Sequence, residues 1–258
     1  MIEGFWQLLV LASLGFFGGM LSGLVGVGGG IVFVPALVYV AGWDIRDAAA
    51  ASFMIIIFSS LSGVLRNTSG ESPVNWRAAG LLAATVAPAS LIGVAISRVV
   101  PDAAVKVVFA LVLLSFTYPL VSQALGNKES ERDLPRIPPA VVLIAGVAIG
   151  ALSGLVGVGG GIVMVPLMIL GLDVRPKSAI ATSLIVILCT GIVAAIGYIA
   201  TGFHQFSALP PLIVGSFLGA WAGVRVRDRA PVKPLQIGFA AFMVIVAVQL
   251  LIDATNLF

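Results

Sequence analysis

The twelve residues LSGLVGVGGGIV stand at 21–32 and again, unchanged, at 152–163. Their chemistry lies in open backbone. Glycine is the poorest helix former after proline, so Gly26, Gly28, Gly29 and Gly30, with Gly157, Gly159, Gly160 and Gly161, mark breaks inside apolar runs. Unwound backbone presents free N–H groups, and with the N-terminus of a following helix these favour an anion. Ser22 and Ser153 precede the two stretches, and Ser52, Thr182 and Ser183 open the next apolar segment of each half. Together these residues form a candidate substrate-binding set built from amide and hydroxyl donors, without a charged side chain. The alternative is that the glycines only permit a tight turn.

Other chemistries lack their parts. A dinucleotide fingerprint needs G-x-G-x-x-G after a strand, but Ile31 and Ile162 take the place of the last glycine. Cys189 is the only cysteine, which excludes an internal disulfide and a multi-thiolate metal site. His204 is the only histidine and reads as an interfacial loop residue. No acid sits deep in an apolar segment, so nucleophilic and metal-assisted hydrolysis lack partners. No catalytic residue, metal or cofactor is expected, and no nucleic-acid partner. Arg66 ends an apolar segment in RNTSGESPVNW. Its side chain can snorkel to the interface; the sharper reading makes it an anion contact at the mouth of a transport path.

The elements that must position these groups are membrane helices. Hydrophobic residues make up 60% of the chain and charged ones 10%, with a mean hydropathy of +1.15. Soluble domains run near 45–50% apolar and about 25% charged, so lipid must cover this surface. Charge-free windows lie at 4–43, 48–65, 78–97, 107–127, 137–172, 178–203, 205–224 and 234–252, without the alternation of a membrane barrel. The fold class is all-α, a polytopic integral membrane protein. Glu3 precedes the first window without a lysine or arginine, so the chain is expected to keep its N-terminus rather than lose a secretory signal.

Two repeats of about four hydrophobic segments each are expected, at 1–125 and 139–258, joined by a polar linker at 126–138. GWDIR at 42–46 matches GLDVR at 171–175, and Asp44 and Asp173 read as capping residues or as partners of Arg46 and Arg175. Stripes of small residues, Gly15/Gly19/Gly23, Gly146/Gly150/Gly154, Gly215/Gly219/Gly223 and Ala89/Gly93/Ser97, are expected to pack helices closely. The windows 4–43 and 137–172 are too long for one crossing of a ~30 Å core. Each is expected to break or form a hairpin at GVGGG, with Pro35 and Pro166 at the start of the next helix.

Charge placement favours the hairpin. If each long window returns to its starting face, eleven basic residues share one face: Arg66, Arg77, Lys128, Arg132, Arg136, Arg175, Lys177, Arg225, Arg227, Arg229 and Lys233. Arg46, Arg98 and Lys106 remain on the other. Single tilted spans divide the same residues nine to five. By the positive-inside rule the repeats are expected to be inverted, with the linker cytoplasmic and both termini outside.

GLVGVGGGIV with a proline three residues on in both halves, ATSLIVIL at 181–188 and SLSGVLRNTSGESPVNW at 60–76 resemble the TauE/SafE family, the sulfite exporter or 4-toluene sulfonate uptake permease family. The first repeat departs from the Ala-Thr-Ser pattern, reading Ala-Ser-Phe at 51–53. The resemblance implies a multi-pass transporter of the bacterial or archaeal cytoplasmic membrane, carrying sulfite, sulfoacetate or other organosulfonates. The expected mechanism is secondary transport by alternating access, open to coupling with a proton or ion gradient. The partners are the anion and the lipid bilayer, and a homodimer is allowed. The alternatives are an anion channel, or a membrane scaffold that transports nothing.

Overall fold

In lipid every backbone polar group needs a partner within the protein, which helices supply. The computed structural model describes residues 2–26, 28–68, 74–124, 138–172, 174–206, 208–227 and 233–255, and every regular element among them is an α-helix. The first repeat supplies α1 (Ile2–Val25), α2 (Gly30–Tyr39), α3 (Ile45–Thr68), α4 (Trp76–Ser97) and α5 (Asp102–Ala124). The second supplies α6 (Pro139–Val156), α7 (Gly161–Leu172), α8 (Pro176–Ala200), α9 (Leu209–Arg227) and α10 (Lys233–Thr255). Among them α3, α4, α8 and α9 are long and apolar enough to cross a membrane. The linker at 126–138 lies outside the described residues apart from Pro138, as does Asp173.

Both over-long windows divide at the glycines, so each half has five helices among the described residues. The prolines do not start the second helix of either half. α2 begins at Gly30 and holds Pro35 in its interior, and Pro166 lies equally deep in α7. The glycine turn sets the start of each helix. Pro35 then removes the N–H that would serve the Ile31 carbonyl.

α2 turns back along α1. A β-carbon on Gly29 would come within 2.7 Å of the Phe33 ring and 3.0 Å of the Gly18 carbonyl, and the same ring crowds Gly18. One continuous helix would carry residues 18 and 33 about 22 Å apart.

The small-residue stripes join the repeats. Gly15, Gly19 and Gly23 of α1 lie against the backbone of Leu212, Ser216 and Ala220 of α9, and Gly215, Gly219 and Gly223 return the contact. Residue numbers rise together, so α1 and α9 run parallel. Gly150 and Gly154 of α6 pack on Val86 and Ser90 of α4 in the same sense. At every one of these positions a β-carbon would strike backbone, so the stripes act in packing. By contrast α3 and α8 run antiparallel, because Gly63 meets Leu184 while Gly191 meets Phe53 and Ile57.

Polar contacts tie helix ends and links together. Arg46 pairs with Asp102 of α5 at 2.8 Å and donates to the Val100 carbonyl at 2.7 Å, not to Asp44, because the start of α5 lies beside the first turn of α3. Gln205 donates to Asp47 at 2.8 Å, and the Tyr39 hydroxyl to Asp253 at 3.1 Å. His204 is exposed in the link between α8 and α9, and Cys189 is half-buried and unpaired.

Candidate functional site

Each loop grows from the last turn of a helix. The Gly26 N–H donates to the Ser22 carbonyl at 2.8 Å, and the Gly157 N–H to the Ser153 carbonyl at 2.8 Å. Three left-handed glycines follow in each copy: Gly26, Gly28 and Gly29, then Gly157, Gly159 and Gly160, with φ between +71° and +85°. L side chains rarely adopt this geometry, which explains a glycine cluster that helix propensity alone would disfavour. Gly29 then precedes α2 without a side-chain cap, and the Val32 and Phe33 N–H groups turn back to its carbonyl at 2.9 and 3.0 Å, which leaves the N–H groups of Gly30 and Ile31 ahead of the helix ladder.

The loops meet. A β-carbon on Gly30 would come within 2.7 Å of Val158 Cα, beside the Gly157 carbonyl. Gly26, Gly28, Gly29 and Gly30 are buried, as are Gly157, Gly159, Gly160 and Gly161.

Each loop is held by a serine of the other repeat. Ser52 of α3 donates to the Gly157 carbonyl at 2.5 Å, and Ser183 of α8 donates to the Gly26 carbonyl at 2.9 Å. Each hydroxyl also lies within reach of its own helix, at Ala49 and Ile180, so one proton serves two acceptors. The carbonyls at a helix C-terminus lack intrahelical donors, and these two serines supply them across the repeat boundary.

Ser22 and Ser153 stand differently. Both are buried, and among the described residues neither hydroxyl has a hydrogen-bond partner. A buried hydroxyl left unpaired costs about 1–3 kcal/mol. The Ser153 β-carbon lies 3.6 Å from where a β-carbon of Gly160 would stand, so its free hydroxyl borders the turn into α7. Ser60 of α3 is a third buried hydroxyl without a partner among the described residues.

Two further residues expected at the site are engaged elsewhere. Thr182 donates to the Ser178 carbonyl at 2.6 Å and accepts from the Asn75 N–H at 2.9 Å. Asn75 caps α4 by accepting from the Ala78 N–H at 3.0 Å, so Thr182 anchors a helix start rather than a glycine loop. Arg66 ends α3 with its guanidinium 5.7 Å from the centre of the Trp221 ring on α9, a cation–π contact worth about 0.5–1 kcal/mol where solvent reaches it.

Among the described residues no charged side chain is fully buried, the buried polar groups are those of serine, threonine and asparagine with the Tyr198 phenol, and no three potential metal ligands gather. The donors at the loops are therefore neutral dipoles.

A family model described as "Sulfite exporter TauE/SafE" matches residues 11–250. The chain belongs to the TauE/SafE family. Over 267 aligned positions it is 24% identical to the probable membrane transporter protein YunE of Bacillus subtilis, covering 95% of this chain and 97% of that protein. A probable membrane transporter protein of Haemophilus influenzae is 27% identical, with 95% of this chain and 98% of that one covered. A shorter match, 42% of this chain, is 33% identical to Sulfite exporter TauE/SafE family protein 3 of Arabidopsis thaliana, 24% of which is covered. No solved structure matches the chain. As a TauE/SafE protein it is a multi-pass membrane protein of a transporter family, not an enzyme.

In this TauE/SafE protein three residues near the loops carry roles that the glycine motif and its polar neighbours do not point to. Ser59 donates toward the Gly28 carbonyl at 3.4 Å and to its own helix at 3.1 Å. It lies two turns after Ser52, a spacing that places both on one face of α3 and could have exposed it. Tyr198 donates to the Gly154 carbonyl at 2.8 Å and stacks on Phe53. Asn75 fixes α4 against Thr182. Neither Tyr198 nor Asn75 has a local signal for its long-range partner.

Proposed function

We propose that this protein is a secondary transporter moving small sulfur-containing anions, sulfite or organosulfonates such as sulfoacetate, across the cytoplasmic membrane by alternating access. One observation carries the reading. Two glycine loops meet at the repeat boundary, each latched by the other repeat, with the buried hydroxyls of Ser22 and Ser153 left without partners beside them. Free amide and hydroxyl dipoles in a dry interior suit an oxyanion, because they stabilise negative charge without burying a cation. The anion takes the N–H groups at the start of α2 and α7 together with these hydroxyls. The contact between the loops parts as it enters.

Inverted repeats make the motion reciprocal. Antiparallel α3 and α8, and parallel α1 with α9 and α4 with α6, support that arrangement. So does the eleven-to-three charge division, which sets the linker in the cytoplasm and both termini outside. The two loops rock as a pair, since each is tied to a helix of the other half, and an ion gradient, of protons or another ion, drives the cycle.

The decisive experiment is binding and uptake of a panel of sulfur anions in proteoliposomes, with and without a proton gradient. Saturable uptake that accelerates with counter-substrate is expected. Flux that does not saturate would make the protein a channel, and binding of cations without any sulfur oxyanion would overturn the reading. Labelling of the 126–138 linker from outside intact cells would sink the inverted arrangement.

A further inference from the structure

Ile56 comes four residues after Ser52 in α3, and Ile187 four after Ser183 in α8. Both side chains are fully buried. A β-carbon on Gly28 would meet Ile187 Cγ2 at 2.9 Å and Ile56 Cγ2 at 3.7 Å. One on Gly159 would meet Ile187 Cγ2 at 3.2 Å and Ile56 Cδ1 at 3.5 Å. The same two side chains thus border the middle glycine of both loops. Ile56 Cδ1 also reaches within 2.9 Å of the β-carbon position on Gly30, where the loops touch.

On the transport reading above, the pair borders the level at which an anion passes between the loops. Each isoleucine lies one helical turn beyond the serine that grips the opposite loop. Gly28 and Gly159 contribute no side chain, so the width of the passage at this level is set by the side chains that project from α3 and α8. Isoleucine suits a barrier: it is branched, stiff at χ1 and without a polar atom. An apolar constriction closes a path by excluding water, and an anion cannot cross a dry layer without its donors.

We infer that Ile56 and Ile187 form the central gate of the transport path and set the size of anion that passes. The inference rests on the transport reading above and adds the residues that determine selectivity. Because α3 and α8 cross antiparallel at this point, rocking of the two repeats slides the isoleucines past one another. Their closure separates the two access states.

The test is uptake of sulfite, methanesulfonate and benzenesulfonate in proteoliposomes by the wild type and by the Ile56→Val, Ile187→Val double variant, which removes one methyl from each side. The ratio of benzenesulfonate to sulfite uptake is expected to rise about tenfold, the scale on which a one-carbon change in an apolar pocket discriminates. A second measurement is independent of uptake by the valine variant. In a Cys189→Ala background, the only native thiol being removed, Ile56→Cys is exposed to a water-soluble thiol reagent. Reaction that is slow alone and at least tenfold faster with methanesulfonate, which does not itself consume the reagent, is expected. An unchanged uptake ratio, or a thiol inert in every condition, would overturn the gate while leaving transport intact. A wild type that moves none of the three anions would overturn the transport reading, and the gate with it.

Discussion

The loop at Gly26–Gly29 and the loop at Gly157–Gly160 share one sequence and differ in their supports. The first receives Ser183 at 2.9 Å and, at 3.4 Å, Ser59, which lands on the loop itself at Gly28. The second receives Ser52 at 2.5 Å, while Tyr198 reaches the Gly154 carbonyl at 2.8 Å, inside the last turn of α6. The position equivalent to Ser59 in the other repeat bonds within its own helix, Thr190 to Val186, and the one equivalent to Tyr198 is Asn67, whose amide donates to the Gly63 carbonyl among its contacts. The first loop therefore has its second donor at long range and shared, and the second has its helix end fixed by a phenol stacked on Phe53. The duplicated motif keeps its backbone turn while its restraints diverge.

The largest test of this asymmetry is a pair of alanines. Gly157→Ala puts its β-carbon 2.6 Å from Ala49 Cα, a backbone atom, at φ +82°. Gly26→Ala meets first the side chains of Ile180 at 2.8 Å and Ser183 at 2.9 Å. A left-handed alanine costs about 1–3 kcal/mol by itself. Gly157→Ala is expected to exceed that range and Gly26→Ala to stay within it, read as thermal unfolding of detergent-solubilised protein. Gly42→Ala is the control, since φ is +69° but nothing lies within 4 Å; its loss should be about 1 kcal/mol. Equal losses at positions 26 and 157 would break the comparison.

Serine removal comes next. Ser52→Ala and Ser183→Ala each leave a loop carbonyl without its donor, a loss of about 1–3 kcal/mol. The loss should be larger for Ser52, because among the described residues no second side chain donates to a carbonyl of its loop. The same unfolding assay decides, and a larger effect at Ser183 would reverse the order of the two loops. Tyr198→Phe then removes a single hydroxyl without changing the ring packing. It should cost about 1 kcal/mol and speed amide exchange in the last turn of α6, while leaving residues 22–31 unchanged. The smallest effect belongs to Ser59→Ala. A shared 3.4 Å contact should contribute less than about 0.5 kcal/mol, detectable as faster amide exchange at 28–31 and not as a shift in global unfolding. Exchange unchanged at those amides would show that Ser59 does not hold the loop.

Much of this arrangement is legible without any fold. The mean hydropathy requires lipid, and the length of windows 4–43 and 137–172 requires a break. The repeated glycines locate it, and both breaks fall there. The stripes at Gly15, Gly19 and Gly23 indicate close helix packing, because small residues four apart make one smooth face. The prolines mislead about where the second helix starts, since a helix after a glycine turn begins as soon as φ returns to negative values. Thr182 stands beside Ser183 in one polar pair, yet successive helical residues point about 100° apart, and its hydroxyl serves Asn75. Arg46 and Asp44 look like local partners because they are two apart, but Asp102 arrives from α5.

By itself the sequence determined the solvent, the helical class, the duplication and the place where each long run must turn, because these depend on composition, length and the conformational range of glycine. Which serine serves which loop depends on how the helices pack. Ser52 and Gly157 are separated by 105 positions, and Ser183 and Gly26 by 157. Nothing local encodes such pairings. They arise when the antiparallel crossing of α3 and α8 carries each serine across the repeat boundary, to a helix end whose carbonyl has no donor of its own.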